Sequence, residues 1–409
     1  MTVSKTSRYK FYIASAIFVV TSIQLTFLSP YVVLVPGERA NVFSGMLCFF
    51  SFLAALFLVP RAGIKIRSWE VAVSVALVLF ASGSAFLSVT PASSGWRAFV
   101  IMSSSLGGYW CARLLLKSVE IRKGFVYLCL GLMLGSCFLF FLGLQLTGLG
   151  YRFMDVGYHA ISSRVIVLSF APIALIASAG QTGFIIGAVT LVIGYITLLA
   201  NLVWGGVSTG PVIPIIVFLV GMLFLWKVTK IRKILVAALA GCTILVAIFS
   251  SVIVNDLPKE SQSVAYRIEN IFFSAHIAMR HPFFGIGPFA PRTALLEDYE
   301  VKYPFVTNER FFRMTRTVIT SENLPLTLMA EFGLPFSFIY FVAVGFVLFR
   351  MFKLVKADEG SFYPHPLALF LPALAMVIQF QIFDGIYHPQ ISWFFHIMLG
   401  MAFMDEQNV

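Results

Sequence analysis

Long apolar runs and short polar connections alternate along this chain of 409 residues. Each run holds roughly 20 residues, the length that a helix needs to cross the hydrocarbon core of a bilayer. The runs predict about twelve spans, at residues 11–35, 41–60, 69–89, 98–116, 124–147, 163–179, 183–203, 211–227, 233–254, 323–349, 366–383 and 389–404. Because the alternating pattern of barrel strands is absent from the sequence, the spans are predicted to be helices.

The composition agrees with a single membrane domain. Hydrophobic residues make up 59% of the chain and charged residues only 11%, so little of it suits a water-soluble domain. The expected fold class is all-α, a polytopic membrane helical bundle formed by residues 1–409. The first apolar run is too long for a signal-peptide core and is interpreted as a retained helix. All five cysteines lie in or beside apolar runs, where packing is the expected role.

Lysine and arginine cluster in alternate connections between the predicted spans. The clusters are Lys5, Arg8 and Lys10; Arg61, Lys65 and Arg67; Arg113, Lys117, Arg122 and Lys123; Lys227, Lys230, Arg232 and Lys233; and Arg350, Lys353 and Lys356. Short loops on the cytoplasmic side of a membrane are enriched in basic residues. Both termini are therefore predicted to be cytoplasmic, and residues 255–322 are predicted to face outward. The net charge of +11 is thus mostly a topology signal and gives no reason to expect nucleic acid.

The outward segment, residues 255–322, collects six arginines between the ninth and tenth predicted spans. They are Arg267, Arg280, Arg292, Arg310, Arg313 and Arg316. A guanidinium group binds phosphate through a planar fork, so several together suit a diphosphate or another polyanion. Acidic residues lie nearby, at Glu297, Asp298, Glu300 and Glu309. A salt-bridged surface is therefore the alternative for the later arginines.

Residues 266–281 of this segment predict an amphipathic helix that Pro282 stops. At about 100° per residue, its polar face holds Arg267, Asn270, Ser274 and His281. Either the helix is a lid whose arginines contact lipid headgroups, or it presents guanidinium groups to a phosphorylated ligand. In the turn that follows, Gly285 and Gly287 would let backbone amides approach an anion, although a lone G-x-G also fits a simple tight turn.

A membrane helix is predicted to begin at Leu324, directly after the outward segment. Ser321 or Asn323 can cap it and Pro325 suits its first turn, so its positive end would point into the outward site and favour a phosphate. Glu322 stands at the same end. Its carboxylate could serve as a cap or as a general base.

The order of these parts resembles a known family. YRIENIFFSAHIAMRHPFFGIGPF (residues 266–289) and ENLPLTLMAEFGLP (residues 322–335), with about twelve spans and a large outward loop, are similar to the bacterial O-antigen ligase and Wzy-type O-antigen polymerase superfamily. The topology covers the whole chain, but the motifs cover only residues 266–335. The most specific feature is an arginine helix ending in P-x-x-G-I-G, followed by N-x-x-L and A-E-x-G before a membrane helix.

The resemblance implies a metal-independent membrane glycosyltransferase without a cofactor. Such enzymes take a glycan from undecaprenyl diphosphate and place it on an acceptor hydroxyl at the periplasmic face of the inner membrane. The implied partners are an undecaprenyl-diphosphate-linked oligosaccharide donor, a glycan or lipid acceptor, membrane lipids and a chain-length regulator protein. In residue-by-residue comparison, Arg267 matches the arginine that opens the loop helix, Gly285 and Gly287 match the glycine turn, and Asn323 and Glu331 match the closing motif.

Three residues are the candidate catalytic groups: Glu322 as general base, His281 as the second candidate for that role, and Arg267 at the diphosphate. The residues expected to bind the diphosphate or the glycan are Arg280, Arg292, Gly285, Gly287, Asn323, Glu331, Arg152 and Arg164. A lipid-headgroup anchor is the alternative for Arg152 and Arg164. His276 lies opposite Arg267 on the predicted helix and is expected to be structural.

Two departures from the family pattern bear on the reaction. Glu322 replaces a histidine that typically precedes the closing asparagine in ligases acting on lipid A-core, and Ser208-Thr209-Gly210 replaces a Ser-Arg-Gly element. The first departure favours a Wzy-type polymerase over an O-antigen ligase, which remains the alternative. A transporter of polysaccharide or lipid-linked glycan is the alternative from another class, because about twelve helices also suit a transporter.

Overall fold

The computed structural model describes residues 5–28, 38–59, 65–147, 158–178, 180–205, 257–288, 290, 299–302, 306–307, 323–357, 363–381 and 385–404. Every regular element within these ranges is helical, which confirms the predicted all-α class for the described part of the chain.

The α-helices are numbered in chain order. They are α1 (Lys5–Ile23), α2 (Glu38–Leu58), α3 (Ser68–Leu87), α4 (Pro91–Leu115), α5 (Val119–Thr147), α6 (Tyr158–Leu168), α7 (Phe170–Ser178), α8 (Gln181–Gly205), α9 (Leu257–Arg280), α10 (Leu324–Phe332), α11 (Leu334–Ala357), α12 (Pro366–Gln379) and α13 (Pro389–Met401). A π-helical turn, Gln24–Leu28, continues α1, and a 3-10 turn, Gly385–Tyr387, precedes α13.

Five helical segments in the described part of the chain are long and apolar enough to cross a membrane. They are Arg8–Phe27, Ser68–Leu87, Val119–Leu142, Gln181–Leu198 and Leu334–Ala357. Their outer faces carry apolar side chains, such as Val75 and Leu79 on α3, as expected for helix surfaces in contact with lipid. The spans predicted at residues 211–227 and 233–254 lie outside the described residues.

Several helix boundaries differ from the predictions; the span predicted at residues 163–179, for example, is divided into α6 and α7 at Ser169. The apolar run predicted as one span at residues 323–349 is divided at Gly333 into α10 and α11. Gly333 has a φ of 90°, a conformation that glycine adopts readily and that an α-helix cannot contain. The amphipathic helix predicted at residues 266–281 is longer at its start, since α9 begins at Leu257 and ends at Arg280.

The last helix, α13, lies in the core of the bundle, with every residue from Pro389 to Met401 buried. It packs closely along α4. A Cβ atom at Gly108 would lie 2.6 Å from the Trp393 carbonyl oxygen, and one at Gly400 would lie 2.6 Å from that of Tyr109. Glycine is therefore required on both helices for the two backbones to approach this closely, a common device for helix pairs in membranes.

A buried ion pair fastens the start of α3 to the end of α4. The Nε atom of Arg113 donates to Oε1 of Glu70 at 3.0 Å, and its Nη1 atom donates to the Phe403 carbonyl oxygen at 2.8 Å. The hydroxyl of Tyr109 donates to the same carboxylate. Both charged side chains are buried, so each depends on these partners in place of water. The ion pair thus closes one end of the α3/α4/α13 core.

Candidate functional site

The turn after α9 is joined to the break between α10 and α11 by backbone hydrogen bonds. The amide of Ile286 donates to the Ala330 carbonyl oxygen at 3.0 Å, and the amide of Gly287 donates to that of Glu331 at 2.9 Å. The amide of Leu334 donates in the opposite direction, to the Pro282 carbonyl oxygen at 2.7 Å. Residues 282–288 and 330–334, distant in sequence, therefore form one structural unit, called the junction below.

The junction needs glycine at the two turn positions identified in the sequence. Gly285 and Gly287 have φ values of 62° and 97°. A Cβ atom would lie 2.3 Å from the Glu331 carbonyl carbon at the first position and 2.3 Å from the Ser88 hydroxyl at the second. Both the positive φ and the lack of space exclude larger residues. The tight-turn interpretation of this G-x-G therefore fits the structure.

The amides of this turn are already used by the protein. Gly285 donates to the His281 carbonyl oxygen at 3.0 Å, and Gly287 donates to Glu331 as described above. In this arrangement neither amide has a hydrogen left for an anion. This arrangement differs from the alternative interpretation, in which the turn presents its backbone amides to a phosphate.

Serine hydroxyls attach the junction to α3 and α4. Ser84 donates to the Glu331 carbonyl oxygen at 2.5 Å, and Ser94 donates to the Pro288 carbonyl oxygen at 3.2 Å. The hydroxyls of Ser88 and Ser94 lie 2.8 Å apart. All three serines are buried, so these hydrogen bonds satisfy backbone carbonyls that water does not reach. The junction is thereby fixed to the core of the bundle.

The Glu331 side chain forms a second link from the junction to the core. It is fully buried, and its Oε2 atom accepts a hydrogen bond of 2.6 Å from the Tyr387 hydroxyl in the 3-10 turn before α13. A buried carboxylate needs donors of this kind, because transfer from water is costly. Glu331, expected to bind substrate, is placed by this geometry to hold the junction against α13.

Helix α9 faces the protein with a mixed surface and turns apolar residues outward. Its buried face includes Glu269, Asn270 and Ser274 beside Phe273 and Ile277. The exposed large apolar residues of the helix are Ile271, Phe272 and Met279. Of the predicted polar face, Asn270 and Ser274 pack inward against the protein, whereas Arg267 is half-buried and His281 is exposed just beyond the end of the helix.

Glu269 organises the inner side of α9. Its Oε1 atom accepts a hydrogen bond of 2.5 Å from the Tyr299 hydroxyl and one of 2.9 Å from the Lys302 amide. Burial and the neighbouring carboxylate of Glu269 raise the pKa of Tyr299 above its usual range, so its hydroxyl remains a proton donor. The Tyr299 ring also packs on Phe273 and His276, with ring centroids 4.9 and 5.4 Å apart. This packing agrees with the structural role expected of His276.

The start of α10 confirms one predicted cap. Asn323 is the N-cap: its Oδ1 atom accepts from the Leu326 amide at 3.1 Å, and its Nδ2 atom donates to the Gln381 carbonyl oxygen at 2.9 Å. The Leu324 amide donates to the Phe380 carbonyl oxygen at 2.8 Å, and Pro325 has no amide hydrogen. The first-turn amides of α10 thus have partners within the protein, which differs from the expectation that they would bind a phosphate.

The other predicted site residues fall into three groups. Arg280 and His281 are exposed where α9 meets the junction, and Arg267 is half-buried farther back on α9. Arg164 is buried on α6, where its Nη1 atom donates to the Thr26 carbonyl oxygen at 3.0 Å, and it is therefore not an exposed headgroup anchor. Three predicted residues lie outside the described residues: Glu322, Arg292 and Arg152.

Several residues of the site were not identified from the sequence, among them Ser84, Glu269 and Tyr387. Glu269 is close to Arg267 and Asn270 in sequence, but at about 100° per residue it lies about 200° from Arg267 and so outside the predicted polar face. Ser84 and Tyr387 gave no local signal either, because each contacts Glu331 across a large separation in sequence. Such contacts depend on how the helices pack and not on local spacing.

No model of a known protein family matches this chain, and no curated protein matches it in sequence.

Proposed function

We propose that this protein is a membrane-embedded glycosyltransferase acting on undecaprenyl-diphosphate-linked glycan at the periplasmic face of the bacterial inner membrane. One observation carries the proposal: PFFGIGP and AEFG, two separate segments of the family-like pattern, are hydrogen-bonded to each other in the junction. The arginine-bearing helix α9 leads directly into the first of them. Parts that the resemblance associates with one activity are therefore neighbours in space.

The proposed topology has about twelve spans and cytoplasmic termini. Residues 255–322 then form a periplasmic loop between the ninth and tenth spans. The alternating basic clusters support this orientation. In this arrangement the junction lies near the periplasmic surface, where a lipid-linked glycan would be available.

The proposed reaction is a displacement at the anomeric carbon of the donor sugar. The acceptor hydroxyl oxygen forms a bond to that carbon, the bond from the carbon to the diphosphate oxygen breaks, and undecaprenyl diphosphate leaves with the electron pair. Glu322 accepts the hydroxyl proton, with His281 as the second candidate. Because the leaving group is strongly anionic, the guanidinium groups of Arg267 and Arg292 would supply the main stabilisation without a metal. Arg280, about 20 Å farther along α9 than Arg267, would contact the glycan or the lipid instead.

The hydrogen bonds of the junction bear on which groups would bind the diphosphate. The amides of Gly285, Gly287 and the first turn of α10 donate to protein carbonyls or to the cap. Side chains are therefore the proposed anion ligands, and the glycines and Asn323 act by shaping the site. Since Asn323 is the N-cap of α10, the role of general base becomes the preferred one for the adjacent Glu322.

Polymerase activity is preferred over ligase activity because Glu322 stands where ligases typically have histidine. A transporter of lipid-linked glycan is the alternative from another class. A cavity lined in part by Glu70, Tyr109 and His396 has a volume of only about 60 Å³, which suits a few water molecules and not an oligosaccharide. A larger cavity of about 500 Å³ between α2, α3 and α4 is lined mainly by apolar side chains, such as Phe49, Val78 and Phe99, and offers few hydrogen-bonding groups to a glycan.

The test is a glycan-transfer assay with purified protein in vesicles that contain undecaprenyl-diphosphate-linked repeat units. We expect wild-type protein to lengthen the glycan and release undecaprenyl diphosphate. Arg267→Lys should lose most activity because it keeps the charge but loses the bidentate fork, whereas Arg8→Lys, exposed at the start of α1, is the matched control. Glu322→Gln should retain less than about a tenth of the turnover, a loss of over roughly 1.4 kcal/mol.

Three results would count against these assignments. Movement of the donor across the vesicle membrane without transfer would support the transporter. Normal transfer by Arg267→Ala would remove this residue from the site, and normal transfer by Glu322→Gln would move the search for the base to His281. In a deletion strain, single repeat units on lipid A indicate a polymerase, whereas full-length chains on undecaprenyl diphosphate indicate a ligase.

A further inference from the structure

The outer side of α9 and of the turn after it carries several exposed large apolar side chains. Met279 and Phe283 are 72% and 68% exposed, and Phe272 and Ile271 are 43% and 37% exposed. Phe272 and Met279 lie seven residues apart, which places them on one stripe of the helix. These four residues are called the outer face below. Contiguous apolar surface of this kind marks a contact with another molecule or with a membrane.

The position of Phe284 shows which environment adjoins the outer face. Its ring lies against Phe80 of α3, with ring centroids 5.9 Å apart, and occupies the space beside Gly83. Gly83 lies four residues before the end of α3, and Phe80 lies seven, so the ring sits about 6–10 Å below the last residue of that helix. Because α3 is long and apolar enough to span a bilayer, this depth lies within its apolar length.

The outer face also adjoins the surface that α3 presents to lipid. Leu79 and Leu87 lie one helical turn on either side of Gly83, and they are 65% and 61% exposed. Phe283 is adjacent to the ring that covers Gly83 and is exposed like them. Exposed apolar side chains of α3 therefore adjoin the turn that carries Phe283.

We propose that the outer face is embedded in the membrane, with Phe272, Met279 and Phe283 among the outermost acyl-chain segments and the exposed Arg280 and His281 at the level of the headgroups. This arrangement accounts for the inverted polarity of α9, since a helix between lipid and a protein interior can turn polar residues inward. The exposed cation beside the apolar stripe suits the phosphate layer. The inference does not depend on the proposed enzymatic activity.

The experiment measures the depth of single nitroxide labels on the full chain in phosphatidylethanolamine/phosphatidylglycerol vesicles. Labels replace Met279 or Phe283 in a protein whose native cysteines have been changed to serine or alanine. Leu79 is the lipid-facing control and Glu300 the exposed control in the polar segment. Power saturation then compares collisions with oxygen, which concentrates in hydrocarbon, and with a nickel chelate, which remains in water.

We expect labels at Met279 and Phe283 to match Leu79, with frequent oxygen collisions and a loss of nickel collisions relative to Glu300. A label at His281 should collide with nickel more often than its neighbours on the outer face. Nickel collisions at Met279 and Phe283 equal to those at Glu300 would place the outer face in water and overturn the proposal. Protection from both reagents would also overturn it, because it would show a protein cover, and distances between labels on two copies would show whether that cover is a second copy.

A second measurement, with a different probe at a different position, tests whether a spin label has itself changed the depth of the turn. A bimane fluorophore at Phe272 should be quenched by nitroxide lipids labelled near the headgroup more strongly than by a water-soluble quencher. The opposite order would contradict membrane insertion even if a single spin label had perturbed the turn.

Discussion

Gly333 divides α10 from α11 at a φ of 90°, and a Cβ atom there would lie 2.3 Å from the Phe283 carbonyl oxygen. We therefore expect Gly333→Ala to destabilise the protein through backbone strain of about 1–3 kcal/mol, with a steric clash in addition. The matched control is Gly345→Ala in the middle of α11, where a Cβ atom would meet nothing within 4 Å. That change should be neutral or stabilise by less than about 1 kcal/mol.

The thermal unfolding midpoints of both variants in one detergent check this prediction. Gly333→Ala should unfold at a lower temperature than wild type, and Gly345→Ala should not. Equal midpoints would show that the junction contributes little to stability, and the proposed role of the junction in shaping the site would then lose its support.

The junction also shows the limit of prediction at the residue scale. Positions that need glycine could be anticipated at Gly285 and Gly287, because G-x-G beside proline is a local turn signal. The partner of the Gly287 amide could not, because it is the Glu331 carbonyl of α10, far along the chain. The same spacing is therefore compatible with an anion cradle and with a packed turn until the partner segment is placed.

At the scale of elements, the cap of α10 provides a second prediction. Asn323→Ala removes the oxygen that accepts from Leu326 and the nitrogen that donates to Gln381, so we expect a loss of about 1 kcal/mol or more in unfolding free energy. Asn323→Asp keeps the cap oxygen but loses the donor to Gln381. Its stability should lie between those of wild type and Asn323→Ala, as measured by thermal unfolding in detergent.

Asn323→Asp also separates a structural role from a ligand role. If the nitrogen of Asn323 contacts substrate, transfer activity should fall in this variant by more than the stability change predicts. If both variants retain stability, the helix start is held mainly by the Leu324 amide and its bond to Phe380.

The presence of these helices was predictable from the sequence. The break within one apolar run and the face of α9 that is buried were not. Lipid requires backbone groups to be satisfied within a helix, so apolar length alone identifies α3, α5 and α11. The break at Gly333 was missed because apolar residues continue on both sides of it. For α9 the helical periodicity of the sequence indicated a polar face. In soluble proteins such a face points to solvent, whereas here Asn270 is buried and Met279 is exposed.

At the scale of the whole molecule, α3 is anchored at both ends. Glu70 in its first turn pairs with Arg113, and Ser84 near its last turn donates to the junction at Glu331. Each of these contacts is also linked to a residue that flanks α13. Arg113 donates to the Phe403 carbonyl oxygen at one end, and Tyr387 donates to Glu331 at the other. The candidate site is thus held by the same core that the ion pair closes. The composition predicted an apolar core. It could not predict these polar contacts, because they join residues that are distant in sequence.

The last prediction tests the proposed orientation, in which residues 255–322 face the periplasm. In a background without native cysteines, a cysteine at Thr307 should react with a membrane-impermeant thiol reagent added to intact cells or spheroplasts. Thr307 is exposed in the structure, so lack of reaction could not be attributed to burial. A cysteine at Lys230, in a predicted cytoplasmic cluster, should react only after the membrane is permeabilised.

This comparison tests the site as well as the topology, because the proposed donor is presented at the periplasmic face. Reaction at Lys230 and not at Thr307 in intact spheroplasts would place α9 and the junction on the cytoplasmic side. The packing of the junction, the N-cap of α10 and the depth of the outer face would all remain, since none of them depends on which side faces out. The glycosyltransferase proposal would not remain, because its guanidinium groups would then lie across the membrane from the lipid-linked glycan.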